Sequence, residues 1–202
     1  MRKIGIFGGT FNPPHIAHKR LATEMAKVVG FDEIIIIPTY TPPHKETSSL
    51  ADCEHRLEMC RLTFSEKLFS VSDIEIRRKG KSYTVETVSE LKKRYRGDKL
   101  FLLVGSDMLL SFHRWYKFEE ILQNCTLCVI SRDDEEGKKL LCQYAEKTLG
   151  LREEKGEIVV LNSDAVELSS TEIREKIKKG EDVCRLLEEK TGEYIKEKGL
   201  YL

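Results

Sequence analysis

Two histidines three residues apart, His15 and His18, close the stretch "GIFGGTFNPPHIAH", residues 5 to 18. At that spacing two imidazoles face the same side of a first helical turn. Their N–H groups can follow charge developing on phosphate oxygens, and a helix start adds amides and the positive end of its dipole. Gly8 and Gly9 are expected to let the backbone turn tightly and approach a ligand with no Cβ in the way. Pro13 and Pro14 stiffen the segment. The chemistry this predicts is the holding of a phosphate and the stabilisation of charge on it. The alternative is a tight strand-to-helix turn with two histidines on the helix surface. G-x-G-x-x-G is absent, which disfavours an NAD-dependent dehydrogenase.

A second anion site is written in "VELSSTEIREKIKKG", residues 166 to 180. Ser169 and Glu172 form a capping box, making Ser169 the N-cap. Ser170 and Thr171 then fall in the first turn, with Arg174 one turn further in. The alternative is a well-capped surface helix. Two such sites in one chain suggest a nucleotide bound by the first and last strand-to-helix loops.

The elements that must position these residues alternate along the whole chain. "KIGIF" reads as a buried strand, followed by a helix from His15 or Ile16 to Val29 that ends at Gly30. "EIIIIP" reads as a strand buried on both faces. A polar loop with Pro42 and Pro43 follows, then a helix over residues 51 to 66 with His55 and Arg56 on its solvent side. "LFSVSDIEIRR" reads as a strand, 84 to 95 as a helix, and "KLFLLVGS", "TLCVIS" and "EIVVLN" as strands. "EEGKKLLCQYAEKTLG" is an amphipathic helix, and two helical segments lie near 170–179 and 191–198. His113 is placed in a loop. The pattern predicts one α/β domain over 1–202, a single doubly wound, mainly parallel sheet with a small helical part at about 170–202.

Composition sets the outer bounds. Lys plus Arg is 34 and Asp plus Glu is 34, so no general nucleic-acid or anionic-membrane surface is expected. No apolar run approaches the roughly 20 residues of a membrane span, and a cytoplasmic protein is expected. Of the six cysteines, Cys53 and Cys60 fit as small core residues beside Leu57 and Phe64. Cys125 and Cys128 form a C-x-x-C, but strand spacing sends them to opposite faces and no ligand set completes them.

"GGTFNPPHIAH" together with "SSTEIR" resembles the nucleotidyltransferase superfamily with its H-x-G-H signature. "PTYTPPHK", "GKSYTVETVSELKKRY", "LFLLVGSDMLLSFHRWYKFEEIL" and "YIKEKGLYL", in order between Lys3 and Leu202, narrow the resemblance to the bacterial nicotinate-nucleotide adenylyltransferases. Asn12 stands where that family often has Asp, Ser106 replaces a common Ala, and Ala17 occupies the glycine of H-x-G-H. The resemblance places Ala17's extra methyl near the nucleotide.

What the resemblance implies is a Rossmann-like nucleotidyltransferase fold and adenylyl transfer from ATP, with Mg²⁺, to nicotinate mononucleotide. His15, His18 and Arg174 would act on the phosphates. Gly8, Gly9, Thr10, Phe11, Gly105 and Asp107 would line the ATP site. Ser169, Ser170, Thr171 and Ile173 would complete it. Thr84, Trp115 and Tyr116 would hold the pyridine ring and its carboxylate, with Lys45 and Arg132 at the mononucleotide phosphate. No protein metal site is implied, the partners are small molecules, and homo-oligomerisation stays open. The rival readings are an adenylyltransferase for nicotinamide mononucleotide or phosphopantetheine, and a nucleotide-binding regulator without chemistry.

Overall fold

The computed structural model of the chain describes residues 1–42, 50–131, 135–162 and 168–202. Six strands form one sheet: β1 (Lys3–Gly9), β2 (Glu33–Pro38), β3 (Phe69–Val71), β4 (Lys99–Gly105), β5 (Thr126–Ser131) and β6 (Ile158–Asn162). Their order is β3-β2-β1-β4-β5-β6. β1 with β4, β4 with β5, and β5 with β6 run parallel, with Ile6 beside Leu102 and Leu103 beside Cys128. The order reverses at β1, so the loop leaving β1 sits at the switch point where doubly wound sheets take their ligands.

The strands are buried as their sequences predict. Ile34 to Ile37, Leu100 to Val104 and Leu127 to Ser131 contain no exposed residue. Since neighbours along a strand point to opposite faces, such runs mean that both faces are covered. Cys128 lies in one of these runs and Cys125 just precedes it, and burial pushes both thiols up to about 12. At neutral pH both are protonated and behave as small apolar side chains.

Two compact units make up the chain. The first comprises Met1–Phe7, Leu21–Ile34 and Tyr83–Ala165. Besides β4, β5 and β6 it contains α4 (Thr84–Arg94), α5 (Ser106–Ser111), α6 (Phe118–Asn124) and α7 (Glu135–Tyr144). The second comprises Gly8–Arg20, Ile35–Ser82 and Val166–Leu202. It contains α2 (Cys53–Thr63), α3 (Ile74–Arg78), α8 (Ser170–Lys178) and α9 (Glu189–Glu197). The remaining helix, α1 (Ile16–Val29), begins in the second unit. It ends in the first at Gly30, whose φ of +74° lets the amides of Gly30 and Phe31 both reach the Ala26 carbonyl.

The core of the second unit gathers Ala17, Met59, Leu168, Ile173, Leu187 and Ile195, with Tyr194 and Tyr201 packed against it. A buried hydrogen bond of 2.8 Å joins the hydroxyls of Thr63 on α2 and Thr191 on α9. Lys19 of α1 reaches Glu188 at 2.9 Å and also pairs with Glu66.

Three expectations are corrected. Only Phe69–Val71 of "LFSVSDIEIRR" is a strand, and Ile74–Arg78 is a helical turn. The I-E-I alternation suggested a strand, yet Ile74, Glu75 and Ile76 are all buried. Asp73 and Arg77 pair at 2.9 Å with the i,i+4 spacing that favours a helix. Second, the segment after β4 folds into α5, a 3₁₀ turn over Phe112–Arg114, and α6. Neither short helix has a side-chain cap at its start, where Gly105 and Lys117 stand, so no boundary signal marked them. His113 lies in that turn with its Nδ1 2.8 Å from the Tyr144 hydroxyl. Third, Arg56 is not on a solvent face: it is 1% exposed. His55 is half-buried, with Nδ1 2.9 Å from the hydroxyl of Tyr194.

Candidate active site

The turn after β1 is built around Phe11, which has a φ of +48° and a ring 2% exposed. Its ring stands edge-on to Phe64 at 5.9 Å and to His18 at 5.2 Å. A Cβ on Gly9 would meet that ring at 3.1 Å, whereas a Cβ on Gly8 would point into open space. Gly9 thus makes room for Phe11, and Gly8 leaves an open face along the strand end. The expectation that the two glycines make the turn is corrected: the left-handed residue is Phe11, and neither glycine has a positive φ.

His15 and His18 do face the same side. Their rings stack with centroids 3.6 Å apart, and the His15 amide donates to His18 Nδ1 at 3.3 Å. An imidazole that accepts at Nδ1 carries its proton on Nε2 when neutral. His18 therefore presents Nε2–H as a donor. The amide of Ile16 donates to the Leu186 carbonyl at 3.1 Å. The amides of His15 and Ile16 at this helix start are thus committed within the protein.

α8 starts as its sequence predicts. Ser169 is the N-cap, and its hydroxyl accepts from the Glu172 amide at 3.1 Å. The amides of Ser170 and Thr171 have no acceptor inside their own helix. Ser170 Oγ donates to the Pro13 carbonyl at 2.9 Å. Arg174 Nη1 donates to the Asn12 carbonyl at 2.9 Å and its Nη2 to Thr171 Oγ1 at 3.2 Å. α8 is thereby tied to the turn after β1, and of the five N–H donors of Arg174 these bonds use two. Ile173 is a correction: its side chain is fully buried in the apolar core and its amide donates to Ser169 O, so it offers ATP no contact. Ala17 is corrected too. It is 3% exposed and belongs to the same core, so its methyl packs inward.

The bonding of three further residues of this unit, Asn12, Tyr201 and Arg56, was not expected from the sequence. The Asn12 side-chain oxygen accepts from the Ala51 amide at 3.0 Å and from the Tyr201 hydroxyl at 2.8 Å. Burial raises the proton affinity of the Tyr201 phenol, against the nearby positive charges of Arg174 and Arg56, so it stays a donor. Arg56 donates to the carbonyls of Ala51, Thr10 and Tyr40. The signal that could have flagged Arg56 is a long polar side chain within an apolar stripe, three and four residues before the buried Met59 and Cys60.

The first unit holds the other expected residues. Thr84 opens α4 right after its N-cap Tyr83. The Tyr83 and Tyr116 rings lie 4.8 Å apart, which puts the start of α4 beside the Trp115–Tyr116 segment. Trp115 is half-buried with its ring tilted 4.8 Å from Phe112, while Tyr116 is 54% exposed. Lys117 Nζ lies 5.8 Å from the Tyr116 ring centroid. Gly105 lets the Asp107 carboxylate fold back over the end of β4, since a Cβ there would come within 2.7 Å of it. Lys45 and Arg132 lie outside the described residues. Among the described residues no helix is long and apolar enough to cross a membrane.

A model of the cytidylyltransferase-like family matches residues 6–176. The chain is 38% identical over 202 residues to a protein of Clostridium tetani named a probable nicotinate-nucleotide adenylyltransferase, covering all of both chains. It is 37% identical to the nicotinate-nucleotide adenylyltransferase of Bacillus subtilis, covering 100% of this chain and 99% of that one. Its backbone matches the nicotinic acid mononucleotide adenylyltransferase of Plasmodium falciparum, solved in complex with NaAD, with a TM-score of 0.79 at 18% identity. That match covers 100% of this chain and 98% of the other.

Proposed function

The chain belongs to the cytidylyltransferase-like family and, within it, to the nicotinate-nucleotide adenylyltransferases, and we propose on that premise that it joins ATP and nicotinate mononucleotide to give nicotinate adenine dinucleotide and pyrophosphate, a step of NAD biosynthesis. The observation that carries the reading at the site is the bonding of the paired His15 and His18 segment to the start of α8 through Arg174 and Ser170. Both stretches that suggested anion sites in the sequence meet in one unit.

The attacking group is the phosphate oxygen of the mononucleotide, ionised at neutral pH, so no protein base is needed. What remains is to align that oxygen with the α-phosphorus and to stabilise the departing pyrophosphate. His18, with Nε2–H presented, supplies a donor for the bridging or leaving oxygens, and His15 packs behind it. Thr171, the amides of Ser170 and Thr171, and the remaining N–H groups of Arg174 suit the β- and γ-phosphates. Mg²⁺ would be held by the ATP phosphates and water rather than by a protein cage, and would neutralise part of the triphosphate charge. Trp115 and Tyr116 suit a flat cationic pyridinium ring, and Thr84 beside them suits its carboxylate. Gly8, Thr10, Gly105 and Asp107 are assigned to the nucleotide, and Lys45 and Arg132 to the mononucleotide phosphate.

The test is pyrophosphate release from MgATP with either mononucleotide, the dinucleotide product being identified by mass. Turnover with the acid at a kcat/KM well above that of the amide is expected. A preference for the amide overturns the assignment of substrate, and release with neither overturns the assignment of activity.

A further inference from the structure

Under the turn that follows β1 lies a charged side chain to which substrate contact gives no reason to be. Arg56 is 1% exposed, and its Nε, Nη1 and Nη2 donate to the carbonyls of Ala51 at 2.9 Å, Thr10 at 2.9 Å and Tyr40 at 3.1 Å. Taking a guanidinium out of water is costly, and an apolar side chain of similar volume fills such a place without that cost. Burial also lowers the proton affinity of the group. The three partners are neutral dipoles from three separate segments, so the position uses the fixed fork of the guanidinium rather than a counter-ion. A lysine ammonium has three N–H groups on one nitrogen, so it cannot take the places of Nε, Nη1 and Nη2 at once.

The bond to Thr10 has a directional consequence. In a trans peptide the carbonyl and the following N–H point opposite ways, so holding the Thr10 oxygen toward Arg56 aims the Phe11 amide away from it. The neighbouring carbonyls are held as well: Gly9 by the Thr39 amide, Asn12 by Arg174 and Pro13 by Ser170. With these oxygens bound inside the unit, an incoming phosphate does not meet their negative ends. Phe11 in turn rests its ring against His18, so the setting of one peptide is passed on to the imidazole.

We propose that Arg56 is a positioning residue for adenylyl transfer, which by fixing the Thr10 carbonyl orients the Phe11 amide and, through the Phe11 ring, His18 toward the phosphates of the nucleotide. This rests on the adenylyltransferase reading above. The test compares wild type with Arg56→Lys and Arg56→Ala. Arg56→Lys should lose about 100-fold in kcat, the scale of a displaced catalytic group, while KM for ATP changes by less than about five-fold. Millimolar guanidinium should restore part of the Arg56→Ala turnover, which loss of folded protein alone would not allow. A folded Arg56→Lys variant with kcat within about three-fold of wild type, or a folded Arg56→Ala variant that guanidinium leaves unchanged, overturns the proposal. If Arg56→Ala does not fold, the lysine variant decides. A readout without turnover separates this proposal from the substrate assignment: the shift of the Phe11 amide resonance when α,β-methylene-ATP is added. Loss of that shift in Arg56→Lys supports the proposal and its retention overturns it, even where wild type turns over neither mononucleotide.

Discussion

At the scale of single residues, the site rests on His18 having one defined hydrogen-bonding state. Its Nδ1 accepts from the amide of His15, so the neutral ring carries its proton on Nε2, which is the donor the proposed role calls for. A donor aimed at developing charge contributes mainly to the transition state, and removing one typically costs about 10²–10³ in kcat. His18→Ala is therefore expected to lower kcat by that range with KM for ATP changed much less, as steady-state kinetics would read. A kcat within a few-fold of wild type would remove His18 from the chemistry. The pair was legible because i,i+3 spacing is local, and the Ser169 cap was legible for the same reason. Arg56 and Tyr201 were not, because the atoms they bond, Thr10 O and Asn12 Oδ1, lie 46 and 189 positions away in the chain. Spacing says nothing about such partners. An arginine on a helix reads as solvated until the fold supplies its carbonyls.

Among the elements, α1 carries the difference between a pattern and its meaning. The H-x-G-H resemblance set Ala17 near the nucleotide, but the helix turns its Cβ into the core with Leu168, Ile173 and Leu187. The two histidines at i and i+3 share one side of the helix, and Ala17 between them turns away from that side into the core. Ala17→Gly is therefore a stability change. Loss of helix propensity costs about 1 kcal/mol and loss of the buried methyl about the same. The melting temperature should fall by several degrees, and KM for ATP should stay within about two-fold. A marked gain in ATP affinity would show that the methyl crowds the nucleotide after all. The strongly apolar strands and the long helices were legible because each buries a face of clear period. α5 and α6 were not, since helices of 6 and 7 residues without capping side chains leave too little periodicity to detect.

For the molecule as a whole, the equal numbers of basic and acidic residues leave little net self-repulsion at neutral pH, and the groups with the largest shifts titrate on the alkaline side. Burial pushes the thiols of Cys125 and Cys128 from an ordinary 9.0 up to about 12. Burial raises Cys60 and Tyr201 in the same direction. Lys19 is raised as well: burial opposes its charge, and its bonds to Glu66 and Glu188 outweigh that. In every case the folded chain keeps a proton that the unfolded chain releases first. Stability is then fully present below about pH 9 and is lost as pH climbs toward the folded-state values. Cys125 and Cys128 each account for about 2 kcal/mol between pH 9 and 11. Urea unfolding in reducing buffer should give a flat stability from pH 7 to 8.5 and a steep fall above 9. Cys128→Ala should make that fall shallower, because one of the released protons is gone. A stability that stays level to pH 11, or a variant with the slope of wild type, would mean that these thiols are reached by water in the folded chain. The parallel strands would then not be covered on both faces, which is the feature of the fold that their unbroken apolar runs predicted.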